Sequence, residues 1–278
     1  MEKYLLVDGS NLLFQMFYGM PARIPGPDGR PIQGTLGFVG ALLKMIRMVE
    51  PTHVGVFFDG ECENPRKALD ETYKANRPDW SEVPEEELPF SQIPDIYGAL
   101  DHLGICHRET ECCETDDWMA AYAKRLDGHT VLASFDSDYF QLLSDRVSVL
   151  RYRGKESQIW TLETLKAKMG VSPERYAWFK AMTGDSSDNV PGIPGVGPKT
   201  AAALTAQFGS MEEMLSNTDS ISRPHIRKAV EENRERLRKS YALIHLEGEE
   251  PLPFTPDRLR WQYEGQTTMT VLTAIGLR

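Results

Sequence analysis

Carboxylates dominate the chemistry that this sequence can do. Three short apolar runs each stop on an aspartate: Tyr4 to Val7 at Asp8, Val54 to Phe58 at Asp59, and Val131 to Phe135 at Asp136. Further acids crowd the chain as Glu114, Asp116 and Asp117, as Asp138 beside Asp136, and as the pair Asp185 and Asp188. Carboxylates gathered like this repel, so they must stay protonated or share cations. Hard oxygen ligands in such number suit Mg²⁺ or Mn²⁺. Two such ions about 3.5–4 Å apart can generate a hydroxide nucleophile and stabilise the leaving oxygen of an in-line displacement. The pattern therefore points to metal-dependent phosphoryl transfer. Taken singly, each acid has a plainer reading, as a turn former or as the partner of a helix N-terminus. Taken together they need a common cause, because no equally dense set of Lys or Arg lies beside them.

A second stretch could hold a phosphate. From Thr183 to Ala201 the chain reads TGDSSDNVPGIPGVGPKTA. Gly192, Gly195 and Gly197 permit a tight turn whose backbone can approach another chain closely. The helix that follows presents free N–H groups, with Lys199 and Thr200 in its first turn, to a phosphate. Such contact is independent of base sequence. The alternative is an interhelical turn that is merely rich in glycine.

These residues must be positioned by strands and helices, and the first half of the chain alternates the two. The three runs are too short for core helices and rich in β-branched or aromatic residues, so they read as buried strands. Helical patterns follow from about Leu12, from Thr35 to Val49 with an apolar face at Phe38, Leu42, Met45, Ile46 and Val49, from Ile96 to Leu103, and from Trp118 to Leu126. This alternation predicts an α/β fold with a mainly parallel sheet, all three aspartates emerging at its carboxyl edge. Residues 60–94 form an irregular polar segment of the kind that is usually functional or mobile. From residue 161 the pattern becomes helical, with helices from Pro173 to Gly184, from Pro198 to Gly209, and a long polar one from Pro224 to Leu246. The expected division is a core over 1–160 and a helical region over 161–278, with a helix-hairpin-helix at about 173–209.

Composition is that of a globular protein of 278 residues, 41% hydrophobic and 26% charged. No apolar run approaches membrane-spanning length, and a strand pattern begins where a signal peptide would lie, so the expected location is cytoplasmic. Cys62, Cys106, Cys112 and Cys113 lack paired metal spacing, which argues against zinc and for reduced, partly buried thiols. A net charge of −10 argues at first against a nucleic-acid partner. The nine acids named above carry nearly all of it, and bound cations would cancel their share.

Taken with these motifs, the chain resembles the 5′ nucleases: flap endonucleases and the 5′→3′ exonuclease domain of bacterial DNA polymerase I. The similarity rests on Leu5-Leu6-Val7-Asp8-Gly9, Val56-Phe57-Phe58-Asp59, Glu114-Thr115-Asp116-Asp117, Asp136-Ser137-Asp138 with Gln141 to Asp145, and Thr183 to Ala201. It implies a resolvase-like (PIN-like) core and two divalent-metal positions. Asp8, Asp59, Glu114 and Asp116 would surround the first and Asp138, Asp185 and Asp188 the second, with Asp117 and Asp136 between or supporting them. It also implies that residues 60–94 arch over the site, with Lys74 and Arg77 of Tyr73-Lys74-Ala75-Asn76-Arg77 at the scissile phosphate and Arg66 as a further basic position. Without the resemblance that segment reads as a solvated loop. Asp79, Glu82, Glu85, Glu86 and Glu87 make it less than uniformly basic. Phe14 stands where many relatives stack a tyrosine on a base, though core packing is an equal reading. Ser137 stands where polymerase-linked members often carry lysine.

The implied activity is two-metal hydrolysis of DNA at a 5′ flap or end, in replication and repair, by a monomer. A monovalent cation such as K⁺ at the hairpin is implied as well. The basic residues between Arg223 and Lys239 read as a solvated helix face or, alternatively, a duplex contact. The rival functions are a ribonuclease on a related acidic core, a non-catalytic DNA-junction binder and a small-molecule phosphatase. The hairpin argues against the first, the full acid set against the second, and the arch against the third.

Overall fold

The computed structural model describes residues 2–20, 22–61 and 65–278; Cys62 lies outside the described residues. Six strands form one sheet in the order β3-β2-β1-β4-β5-β6. These are β1 (Lys3–Asp8), β2 (His53–Phe58), β3 (Cys106–Glu109), β4 (His129–Ala133), β5 (Val147–Arg151) and β6 (Gln158–Trp160). Only β6 runs antiparallel to its neighbour. The expected mainly parallel α/β core is therefore present.

Side-chain alternation along β1 builds two cores. Leu5 and Val7 pack with Phe38, Leu42 and Ile46 of α2 (Gln33–Val49), and with α1 (Gly9–Gly19) and α4 (Ile93–His102). Tyr4 and Leu6 face the other way, toward Trp118 and Tyr122 of α5 (Thr115–Arg125) and the helical region. A strand buried on both faces must read as a continuous apolar run, which is why β1 and β2 are legible in the sequence. The short helix α3 (Pro65–Leu69) and two 3₁₀ turns break up the segment expected to be irregular.

After β6 the chain is helical: α6 (Leu162–Met169), α7 (Pro173–Thr183), α8 (Pro198–Gln207), α9 (Met211–Ser216), α10 (Pro224–Glu232), α11 (Arg234–Ile244) and α12 (Thr268–Ala274). The single long helix expected from Pro224 to Leu246 is two. Asn233 leaves helical geometry at φ −118°, ψ 23°, and its side-chain amide donates to the Ala229 carbonyl at 2.7 Å. An Asn that satisfies backbone groups locally competes with the helix ladder. Strand β4 likewise stops at Ala133, short of the expected Phe135, so Asp136 sits in a loop. Cys112 is exposed and Cys113 buried. Among the described residues no helix is long and apolar enough to cross a membrane.

Candidate metal and phosphate site

Parallel strands deliver their last residues to one edge, and there the acids meet. Asp8 closes β1 and caps α1, accepting from the Asn11 N–H at 2.9 Å. The Ser134 hydroxyl donates to its other oxygen at 2.9 Å, and the Tyr139 hydroxyl lies 3.4 Å away. Burial, then the charge of Asp59, pushes Asp8 up to about 7. Asp59 accepts from the Thr115 N–H at 2.9 Å, which ties β2 to the start of α5. Asp116, in the first turn of α5, takes the Tyr139 hydroxyl. Burial and the charge of Asp136 push it well above the usual carboxylate range.

The second group forms where the sheet meets the helical region. Gly184 ends α7, and a reciprocal pair of 2.8 Å backbone bonds between Asp185 and Val190 closes the loop that carries Asp185 and Asp188. Ligand oxygens of Asp138, Asp185 and Asp188 all lie within 4.8 Å of one another. Asp138 is oriented through its own N–H, which donates to Asp136 at 2.8 Å. Burial and Asp136 push Asp138 up to about 7 despite the Lys180 ammonium in contact with it. Asp188 is also raised, chiefly by burial, whereas Asp185 is drawn down because Lys180 and Ser187 outweigh its burial. In these four carboxyls burial, with the charge of neighbouring acids, opposes the ionised form, which makes ionising the site costly. Divalent cations would relieve it, and an all-oxygen donor set fits Mg²⁺ or Mn²⁺.

Cations approach from the segment expected to arch over the site. Lys74 contacts Glu114 and lies 4.0 Å from Asp188, and Arg77 lies 3.4 Å from Asp188. The Tyr73 hydroxyl donates to Glu114 at 3.1 Å and to Asp188 at 3.3 Å. The segment is also stitched to the 185–189 loop: Lys74 N–H to the Asp188 carbonyl at 2.9 Å, Asn76 to the Ser186 carbonyl at 2.6 Å, and Asn189 to the Thr72 carbonyl at 2.7 Å. Lys74 adopts φ +58°, an uncommon conformation for a residue with a Cβ, as this docking requires. A cleft of about 370 Å³ opens here, lined by Asp59, Lys67, Lys74, Arg77 and Glu114 among others.

Two expected residues turn out differently. Arg66 is buried, 8% exposed, and its guanidinium pairs with Glu114 and Asp117, both at 2.7 Å. On α3 the next residue, Lys67, is the one that lines the cleft, because the short helix turns Arg66 inward. Asp117 is correspondingly engaged by Arg66 and by the Glu114 N–H, the reciprocal half of a capping box. It orients Glu114 rather than offering free oxygens. The residues missed from sequence are Lys67 and Lys180, the latter a lysine on an otherwise apolar face of α7, where nothing in its neighbours distinguishes it.

At the hairpin, buried Ile193 and Val196 anchor the turn in the core. A Cβ at Gly192 would meet Thr183 and Gly184 backbone at 2.5–2.6 Å, so its bareness serves packing within the chain rather than approach to a partner. Gly195, at φ +78°, and Gly197 face open space. Lys199 is exposed at the start of α8, and Arg223 lies 3.5 Å from the Thr200 hydroxyl. Most other basic residues of α10 and α11 are engaged by acids, among them Arg227 with Asp219, Arg238 with Glu212 and Lys239 with Asp70. Phe14 is half-buried against Phe90, at 5.3 Å between ring centres, and Tyr18, at 6.0 Å.

A doubly wound sheet that gathers acids at its carboxyl edge, completed by a helical region with an open hairpin, defines a class of acidic-site α/β proteins. Residues 3–170 match the N-terminal, resolvase-like domain of 5′-3′ exonucleases, and residues 171–267 their C-terminal SAM fold. The chain belongs to this 5′-3′ exonuclease family. It is 37% identical over 269 residues to DNA polymerase I of Rhizobium leguminosarum, covering 93% of this chain and 26% of that protein. It is 33% identical over 266 residues to DNA polymerase I of Bacillus subtilis, covering 94% and 30%. The chain thus spans less than a third of the length of these relatives. Among solved structures, the bacteriophage T5 D15 protein co-crystallised with metal ions superimposes with a TM-score of 0.72 at 21% identity, covering 99% of this chain and 94% of that one. The catalytic core of Rad2 in complex with DNA gives 0.60 at 16%, covering 100% and 92%. At such identities these two likenesses speak for the fold.

Proposed function

We propose that this chain is a structure-specific DNA 5′ nuclease that hydrolyses a phosphodiester near the junction of a duplex with a 5′ single strand, in replication and repair. One observation carries the reading: acids from the sheet edge and from the 185–189 loop converge beneath Lys74 and Arg77. The T5 D15 structures, one of which contains both DNA and metal ions, support it. In this reading the core to residue 160 supplies most of the acids, and the helical region from 161 supplies the rest and the grip on DNA.

Asp8, Asp59, Glu114 and Asp116 would hold one Mg²⁺ or Mn²⁺, and Asp138, Asp185 and Asp188 a second. Ions there would supply an activated water and neutralise the leaving oxygen. Asp136 and Asp117 act as positioning carboxylates, through the Asp138 N–H and through Arg66 and Glu114. Lys74 and Arg77 meet the oxygens of the scissile phosphate, where their charge counts most as negative charge grows in the transition state. Lys74 must exchange Glu114 for the phosphate to do so, which would open Glu114 Oε1 to a metal while Arg66 and Tyr73 keep Oε2. Gly195, Gly197, Lys199 and Thr200 hold a duplex phosphate, with Arg223 beside them, and the hairpin would accept a monovalent cation such as K⁺. Phe14, with Tyr18 and Phe90, offers aromatic faces to an unpaired base. The protein would act as a cytoplasmic monomer.

The test is cleavage of end-labelled 5′-flap DNA, single-stranded RNA and a generic phosphate monoester, with Mg²⁺ and with EDTA. Flap cleavage that EDTA abolishes is expected. Absence of metal-dependent flap cleavage sinks the proposal, and preferential cleavage of RNA replaces it with a ribonuclease.

A further inference from the structure

Lys180 is the cation that the proposed mechanism leaves unused, and its surroundings are unusual. It lies on α7 with 7% exposure, its ammonium in contact with Asp138 and 2.6 Å from Asp185. Those are two of the three carboxylates whose oxygens cluster within 4.8 Å. The ammonium thus bridges two buried carboxylates, which is how a buried charge is ordinarily accommodated. Asp188, the third member, faces Lys74 and Arg77 from the arch. The acids proposed for the second metal position thus hold protein cations at the oxygens a metal would use.

We infer that Lys180 is a built-in counter-ion of the second metal position: it holds Asp138 and Asp185 together without metal, and it competes with a divalent cation for them. The inference rests on the two-metal reading. A buried carboxylate pair with no cation between its members repels, so it needs either a proton or a positive charge between them. An ammonium within hydrogen-bonding distance of two ligands repels an incoming divalent ion and occupies oxygen lone pairs that the ion needs. Both effects lower affinity at this position relative to the first. There Asp8, Asp59 and Asp116 take hydroxyl and backbone donors; the cations of that position, Arg66 and Lys74, both sit on Glu114, and Lys74 leaves for the phosphate in the proposed mechanism. The two positions would then fill in sequence, the first tightly and the second at higher metal concentration. Lys180 is a positioning residue in this account, since it acts through Asp138 and Asp185 and need not touch DNA.

The discriminating measurement uses metal alone. Mn²⁺ titration of the metal-free chain, followed by electron paramagnetic resonance and calorimetry, reads the number of sites and their separate affinities without substrate. In the wild type two sites are expected, one clearly weaker. Lys180→Met removes the charge at similar length and should tighten the weaker site about tenfold or more, since a unit charge about 4 Å away is worth at least that much in a partly buried setting. The same variant should melt earlier than wild type in EDTA and regain most of the difference in saturating Mn²⁺. Lys180→Arg, which keeps the charge, should leave the two affinities far apart. Lys180→Gln serves if the methionine variant does not fold. A merely structural lysine predicts the opposite sign: loss of Lys180 would disorder the acids and weaken the second site. Unchanged or weakened Mn²⁺ binding in the uncharged variants therefore overturns the inference and leaves the nuclease reading standing. A wild-type chain that takes up no Mn²⁺ overturns both.

Discussion

The two groups of acids in this molecule are held by different physics. Asp8, Asp59 and Asp116 sit where parallel strands and the start of α5 place them, fixed by neutral donors, the Asn11 and Thr115 N–H groups and the Ser134 and Tyr139 hydroxyls, and only Glu114 beside them pairs with cations, Arg66 and Lys74. Asp138, Asp185 and Asp188 sit on a loop, a 3₁₀ turn and a helix end, and are held chiefly by Lys180, Lys74 and Arg77. Neutral donors leave a carboxylate's charge largely uncompensated; ammonium and guanidinium groups neutralise it. The order of the sheet edge therefore depends little on protein cations, whereas the loop site is one whose order depends on them.

Substitution of one acid from each group should break this contrast most visibly. Asp8→Asn and Asp185→Asn are both expected to cut turnover on flap DNA by orders of magnitude, with DNA binding largely kept. Their effects on stability in EDTA at pH 8 should differ in sign. Asp8→Asn removes a charge that burial opposes and should raise the melting temperature. Asp185→Asn strips Lys180 of a partner and should lower it. Equal shifts in both variants would show that the two groups are not held differently.

A smaller effect is expected from the arch. Lys74→Ala should reduce turnover by about a hundredfold, in the range for loss of one preorganised cation at a developing charge. Arg77→Ala should cost less, because its side chain is 58% exposed and longer-ranged from Asp188 than a close ion pair. Single-turnover rates at saturating enzyme would check both, and an Arg77 effect larger than that of Lys74 would reverse the ranking.

The smallest effect is on stability against pH. Asp8, raised to about 7 from an ordinary value near 3.8, binds its proton more tightly in the folded state than in the unfolded one. Its contribution is fully present below the unfolded value and is lost as pH rises through about 7; Asp138 behaves alike. Metal-free protein should therefore melt lower at pH 8 than at pH 6, by about 2–4 °C or more. Mg²⁺ should stabilise more at pH 8 than at pH 6. A gain from Mg²⁺ that is flat with pH would argue against a cost of ionising the acids at the sheet edge.

Much of this arrangement is legible in the amino-acid sequence. The runs that become β1 and β2 are apolar throughout because both faces are buried, and Asp8 and Asp59 follow them directly. Gly184 and the Gly197-Pro198 step carry the helix punctuation that bounds α7 and α8. Other features are hidden for identifiable reasons. Strand β3 is Cys106-His107-Arg108-Glu109, a polar edge with no apolar run to read. Asn233 breaks a helix whose charge pattern continues on both sides of it. Arg66 and Lys67 are adjacent basic residues, and only the docking of α3 sends one into the core and the other to the cleft.

The amino-acid order alone determined the three strands that lead to Asp8, Asp59 and Asp136, the inventory of acids and the glycine-rich turn, because each depends on local periodicity or on residues close in the chain. Tertiary structure decided which charges meet. Lys180 reaches Asp138 across 42 positions, Lys74 reaches Glu114 across 40, and Arg66 reaches Asp117 across 51. Coulomb energy depends on distance in space, and no spacing along a chain encodes it until the packing of α7 and the arch against the sheet edge has set that distance.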